Sequence, residues 1–382
     1  MIQLHDIHTI NNIDWDSKRD GEYVKNYFTP ILQYGINHYI KNVNTSVYLL
    51  EIDDLVIPVT VNEKEFENSY VCSPYTHYIS YAKEELWELK KPLLEKVLSK
   101  CIDGIGFFLR HTRINRVVII NNWFLSTNLY FPLSESQIER ITKFLSIKFP
   151  TYTLMFRSLN KRLHQQMFHG FKNNKYKQIM SRSIYLFEPL HFKSLSRRQK
   201  KDFLNDESFM KKSNYSVSES TKADESFIPV IEQLYNQLYI HKYSEHNPQF
   251  TTEYYSNAIK HDLMNFKILQ NEDDSIDGVI GYFHRNNVLT TPILGYKLDK
   301  GKSQGLYRLL SLLIAYEVLD KNYIGHFSAG AGDFKRNRGS IQEIEYTFYY
   351  NEHLSFTSKF VWNFLKLVMD KVVEPMAIKM EF

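Results

Sequence analysis

The chain has 382 residues, 43% hydrophobic and 24% charged, and a formal net charge of +4; the length suits two domains or one duplicated unit, and so small a charge does not demand a nucleic-acid partner. Tyr (27) and Phe (26) are abundant while Gly (14) and Pro (11) are scarce, which predicts an aromatic interior, long regular elements and few disordered linkers. Two cysteines, Cys72 and Cys101, exclude a disulfide framework, and a reducing compartment is expected.

In chain order, MIQLHDIHTINNIDWDSKRD lacks the basic and then apolar regions of a signal peptide. Strands are expected at Ser46 to Ile52 and Leu55 to Val61, then a helix from Lys83 to Cys101. A strand at Arg116 to Asn121, a helix at Glu135 to Phe149, a strand at Thr151 to Arg157, a helix at Leu159 to Phe171 and a strand at Arg182 to Phe187 follow. The composition shifts at Ser194 to a basic and then polar segment, so a junction is placed there, dividing residues 1–193 from 194–382. Beyond it come helices at Phe227 to Lys242 and Thr252 to His261, a β-pair at Phe266 to Gln270 and Gly278 to Arg285, and strands at Leu289 to Leu298, Tyr323 to Ser328 and Gln342 to Tyr350. This order implies mixed α/β (α+β) layers. No fixed-period repeat is visible; the halves share only a coarse order of elements. No apolar run reaches the roughly 18 to 20 residues of a membrane span; the nearest, Leu306 to Leu319, is interrupted by Arg308, Ser311 and Glu317. A cytoplasmic protein is expected.

The richest stretch is Thr290 to Tyr350. A strand feeds the Leu306 to Leu319 helix through the turn Asp299 to Gly305, and the string SAGAGDFKRNRG follows. Glycines in such a turn leave backbone N–H groups unpaired at the positive end of a helix dipole, where a phosphate or an acyl oxygen can be held. The strings YNQLYIHKYSEHNPQFT, TPILGYKLDKGKSQGLYRLL and SAGAGDFKRNRGSIQEIEY, in this order of elements, make the second half similar to the GNAT acyltransferases, and within them to the branch of Fem-type peptidyl transferases and CelD-like acetyltransferases. The resemblance implies two GNAT-like domains in tandem, the second the better match and the first a degenerate copy. It places Phe334 and Lys335 where the branch closes its acyl pocket. SPYTHYISYAKEEL, NNWFLSTNLY and FRSLN in the first half tie to no named function.

One departure stands out. Aligning Gly305 with the family's first turn glycine puts Lys302 at its Gln/Arg position and Tyr307 where a small residue is usual. A phenol there crowds a pyrophosphate, so the donor is an acyl-CoA held differently, an acyl group on a carrier protein's phosphopantetheine, or an aminoacyl-tRNA. No tightly bound cofactor is expected.

Lys302, Ser303, Gln304, Gly305 and Arg308 combine backbone donors with cations, as a phosphate-bearing donor requires; the plain reading is a helix capped by Ser303 among surface lysines. Lys335 is positioned by the resemblance to neutralise an oxyanion, with Asp333 and Arg336 beside it; a tight connection with solvated cations is the alternative. The alternation in QEIEYTFYY predicts Glu343, Glu345, Thr347 and Tyr349 on one strand face, with Glu345 as general base or as an ion-pair partner of Arg336 or Arg338. Tyr307 or Tyr346 is the expected acid for the leaving thiol. Tyr243, Ser244 and Asn247 fall where GNAT helices meet the acceptor, or simply stop a helix before Pro248. His241 with His246 and His164 with His169 lack the spacing of a zinc pair, so no metal is expected. Cys72 sits in no nucleophile motif. The basic run SRRQKKDF reads as a dock for an acyl carrier protein or a tRNA backbone, or as a solvated face.

The expected activity is transfer of an acyl group from an acyl-CoA or acyl-carrier-protein thioester to a primary amine of a small molecule, amino acid or peptide. The alternatives are a Fem-type aminoacyl-tRNA-dependent transferase and a non-catalytic GNAT-fold binding module.

Overall fold

The computed structural model describes residues 2–86, 91–219 and 225–380. The helix expected from Lys83 to Cys101 and the polar segment after Ser194 each run partly outside them. What is described of the former is a wide-pitch helix at Thr76–Tyr81, a short turn at Ala82–Glu84, and a helix at Pro92–Arg110 that opens on proline, the residue whose missing N–H costs nothing at a helix start.

The first half contributes six strands: β1 (Ile2–His5), β2 (Ser46–Ile52), β3 (Leu55–Asn62), β4 (Val117–Ile120), β5 (Thr153–Asn160) and β6 (Lys177–Phe187). The second contributes β7 (Ser216–Glu219), β8 (Asn265–Gln270), β9 (Ile276–Arg285), β10 (Val288–Tyr296), β11 (Ile324–His326) and β12 (Ile341–Tyr350). All join one mixed sheet in the order β1-β2-β3-β4-β5-β12-β6-β11-β10-β9-β8-β7. Pairing β1 with β7, β2 with β8 and so on to β6 with β12, the order reads the same from either end. The parallel pairs obey the same exchange: β4 with β5 in one half, β10 with β11 in the other. Each half sends its last strand across, so that β6 lies beside β11 and β12 beside β5. The fold is therefore α/β with two like halves interlocked at the centre.

Local sequence explains the elements that frame this centre. The run VVII of β4 is buried throughout, as a strand covered on both faces requires. The helix Glu135–Lys148 starts at a capping box, Ser134 with Gln137, which satisfies two backbone donors at once. The helix Leu306–Lys321 is apolar nearly all round and buries Leu306, Leu309, Leu310, Leu312, Leu313, Ile314, Ala315 and Val318, as its composition predicts for a helix between a sheet and a neighbour. Among the described residues no helix is long and apolar enough to cross a membrane.

The predicted alternation along β12 is not kept. Its ladder shifts register against β6 between Glu345 and Tyr346 and against β5 between Tyr346 and Phe348, and Glu345, Tyr346, Thr347, Phe348 and Tyr349 are all buried. A strand at the middle of the sheet has both faces covered, so no solvated carboxylate face forms.

Candidate functional site

β10 and β11 pair only through Val288–Ile324, Leu289–Gly325 and Thr290–His326. Past Thr290 the β10 strand bulges, at a point where Pro292 lacks an N–H to donate, and the two strands part. The divergence opens into a cavity of about 450 Å³. Thr291, Leu294 and Tyr296 of β10 form one wall, Tyr307, Ser311 and Ala315 of the Leu306–Lys321 helix another, and the turn Phe327 to Ala331 a third. The first half supplies Tyr70, Tyr81, Glu85, Ser126 and Arg182. Much of the aromatic surplus of the sequence is spent here, on Tyr70, Tyr81, Tyr239, Tyr243, Tyr296 and Tyr307.

Five of the anticipated residues meet at this cavity: Tyr307, Phe334, Lys335, Tyr243 and Asn247. Tyr307 packs on Phe334 at 4.7 Å between ring centres, and burial, with Tyr243 nearby, raises its phenol well above the ordinary value, so it stays protonated. Lys335 is buried and its ammonium donates to the carbonyls of Phe327 (2.6 Å), Ala329 (2.8 Å) and Ser328 (3.4 Å). These bonds correct the oxyanion role expected of it: Lys335 holds the turn in shape. The turn needs such a clasp, since Ser328 (φ 57°), Gly330 (φ 76°) and Ala331 (φ 51°) all have positive φ. Asn247 donates to the carbonyls of Tyr239 (3.0 Å) and Ser244 (3.1 Å), and the Ser244 hydroxyl accepts from the His246 N–H (3.1 Å). Both therefore shape the loop after the helix, and Asn247 reaches the cavity as well.

The remaining expectations meet competing partners. Glu345 is buried between Arg182, whose Nε lies 2.8 Å away, and His326, whose Nε2 is at 3.6 Å. Burial alone raises a carboxyl, but Arg182 and His326 outweigh it and hold Glu345 at about 2; a carboxylate so depressed is a poor proton acceptor. The ion pair foreseen with Arg336 or Arg338 is made instead with Arg182. Tyr346 turns away from the cavity, donating to Glu374 at 2.6 Å and packing on Phe168. Asp333 is exposed and paired with Arg336 at 2.6 Å, and Arg336 also donates to Tyr185 Oη and Gln342 Oε1 at 3.2 Å.

Ser303, Gln304, Gly305 and Arg308 are absent from the cavity lining; the side chain of Lys302 lies outside the described residues. Arg308 is drawn to Asp206 at 2.7 Å and over the Phe209 ring at 4.6 Å, and Arg338 joins the same carboxylate. The helix N-cap is Gly305, not Ser303, at φ +59°, with the Phe209 ring 2.6 Å from where a Cβ would stand. The start of the helix is thus packed by Lys201–Lys212, the helix that begins within the basic run.

Sequence reasoning missed Glu85, Arg182 and the tyrosines of the first half, because nothing local marks them; only the crossed strands bring them to the second half's cavity. Cys72 is buried and its thiol is pushed up to about 12 by burial, which leaves no thiolate for nucleophilic work at neutral pH.

No family model and no curated protein matches the chain. Solved structures do match. A conserved protein of unknown function from Bacteroides thetaiotaomicron aligns over 92% of this chain and 100% of its own, with 8% identity and a TM-score of 0.52, so the two share a fold. FemX aligns over 61% of this chain and 79% of its own (6% identity, TM-score 0.45). A tandem GNAT protein from the clavulanic acid biosynthesis pathway aligns over 91% and 98% (8% identity, TM-score 0.37). Fem-type and GNAT-type proteins thus stand among the structural neighbours of this chain.

Proposed function

We propose that the protein is an N-acyltransferase that moves an acyl group from a thioester to a primary amine by direct attack. The observation that carries this reading is the parting of β10 from β11 into an aromatic-walled cavity. A strand edge that has lost its partner offers backbone N–H groups to a carbonyl oxygen, and an apolar-walled cleft excludes the water that would hydrolyse the thioester.

The amine nitrogen bonds to the carbonyl carbon as the C–S bond breaks; the amine gives up a proton and the departing sulfur gains one. Glu85, a carboxylate on the cavity wall, is assigned to attract the ammonium and take its proton. Tyr307, kept protonated by burial, is assigned to the leaving sulfur. Lys335 and the Arg182–Glu345 pair position the walls. Arg197, Arg198 and Lys201 are exposed, and the helix they introduce reaches the cavity through Phe203 and Asp206. That placement favours a donor on an acidic carrier: an acyl carrier protein first, a tRNA second.

Thermal unfolding with acetyl-CoA, a long-chain acyl-CoA, an acylated carrier protein and an aminoacyl-tRNA tests the reading. A rise in Tm with either CoA ester or with the carrier is expected; a rise with the tRNA alone selects the Fem-type reaction. No response to any donor leaves a binding module and ends the transferase proposal.

A further inference from the structure

A second cavity, of about 170 Å³, lies where the first half's own parallel pair ends. Its walls come from two of the three strings the sequence left without a role: Asn128, Leu129 and Tyr130 of NNWFLSTNLY and Ser158 of FRSLN. Arg162, His164 and Gln166 of the helix Lys161–Asn173 close one side, and His326 of β11 forms part of the floor. The mouth is polar and exposed, with Arg162, Gln165, Gln166 and Asn286, while Asn128, Ser158 and His326 at the bottom are almost completely buried.

The buried groups have a common sign. Asn128 Oδ1 accepts from the Trp123 N–H at 3.0 Å, which turns its Nδ2 the other way, and that Nδ2 has no partner. His326 Nδ1 accepts from the Ser328 N–H at 3.3 Å, so its Nε2 carries the hydrogen. That Nε2 makes no short hydrogen bond, but it stands 3.6 Å from Glu345 Oε2, whose charge it helps to stabilise. His164 Nδ1 accepts from the Asn160 N–H at 3.2 Å, leaving its Nε2–H free to face the cavity it lines. Beside it, Asn160 Oδ1 accepts from the Leu163 N–H and its buried Nδ2 is again unpartnered. Each orientation is fixed by a backbone donor, and what remains over is a set of N–H groups. A buried donor without an acceptor costs on the order of 1–3 kcal/mol, and Asn128 Nδ2, on the cavity wall beside His164, calls for one.

The backbone around the cavity is strained in the same sense. Ser158 has φ +62° on a bulge of β5, a conformation that persists only where the surroundings hold it. The charges nearby balance in pairs, Arg162 with Glu188 and Arg182 with Glu345. A room of this size holds several waters, each occupying roughly 30 Å³ of liquid, or one molecule of amino-acid size.

We propose that this cavity is a second ligand site, separate from the acyl-transfer cleft, and that it takes a small carboxylate whose oxygens accept from Asn128 Nδ2 and His164 Nε2. The inference does not rest on the acyltransferase reading.

Thermal unfolding of the full chain in sodium acetate or sodium L-lactate, against acetamide and sodium chloride at matched ionic strength, tests it. A saturable rise in Tm of about 2 °C or more is expected with the carboxylates and none with acetamide or chloride. Asn128→Asp keeps the acceptor for Trp123 and replaces the free donor by a carboxylate oxygen; it should abolish the rise. Gln166→Trp, at the exposed mouth, should do the same by obstruction, whereas Ser311→Trp in the large cavity should leave it intact. A response equal in wild type and Asn128→Asp, an equal response to acetamide, or no saturable response overturns the proposal.

Discussion

The two halves share a strand order and a parallel pair that comes apart at one end, yet only one of them keeps the opening large. In the second half the chain leaving β11 turns outward and is clasped by Lys335, so a cavity opens between β10 and the Leu306–Lys321 helix. In the first half the chain leaving β4 folds back: Trp123, Phe124 and Leu125 are buried, entered through positive φ at Asn121 and Phe124 and fastened by Asn122 to Thr60 and Val71. The two openings thus differ in the segments that leave the sheet beside them, one clasped outward and one folded into the core. The small donor-lined cavity is what the folded segment leaves over.

The tie between the two cavities is the place to break the comparison. Arg182 lines the large one, His326 the small one, and Glu345 stands between them. Glu345→Gln strands a buried guanidinium, and a loss of about 3–5 kcal/mol is expected in chemical denaturation. A loss under about 1 kcal/mol would show that Arg182 finds water instead. The pH response has a fixed sign. With Glu345 at about 2 in the fold and 4.5 as the ordinary value, its contribution is complete above about 4.5 and fades as pH falls toward 2. The variant should show a shallower acid decline over that window.

Next in size is Tyr307→Phe, which removes the proposed acid but keeps the ring against Phe334. Turnover should fall about 100-fold with donor binding little changed. Unaltered turnover sends the leaving-group proton elsewhere.

The sequence made the strand, turn and helix around Leu306 legible because apolar periodicity and glycine punctuation are local signals. It made the glycine-rich turn after Ser328 visible for the same reason. The duplication stayed hidden because its proof is the placing of β12 between β5 and β6, a pairing between segments far apart in the chain. The partners of Glu345 were hidden likewise: Arg182 and His326 lie on other strands, and from sequence the nearby Arg336 and Arg338 looked equally available. Arg308 read as a ligand for phosphate because Asp206, which claims it, sits in a different segment.

The two helix starts sharpen the comparison further. Ser134 begins the first-half helix with a full capping box, whereas Gly305 begins the second without a side-chain cap. Gly305→Ala meets both an unfavourable φ and the Phe209 ring, and should cost about 1–3 kcal/mol. Ser134→Ala loses a cap alone, about 1 kcal/mol. Equal costs for the two, read from denaturation midpoints at a common slope, would mean that Phe209 yields readily and that the start of the Leu306–Lys321 helix is open to a ligand after all.

The smallest effect separates two tyrosines that the sequence could not rank. Tyr346 donates to Glu374 on the far side of β12, away from both cavities. Tyr346→Phe gives up one hydrogen bond to a charged partner and keeps the packing on Phe168, so about 1 kcal/mol of stability is at stake and no turnover. Measured beside Tyr307→Phe, it distinguishes a phenol that serves the reaction from one that anchors the C-terminal helix. If Tyr346→Phe slows turnover while Tyr307→Phe does not, the chemistry belongs to the other face of the sheet, and the cleft between β10 and β11 is a binding cavity without the reaction.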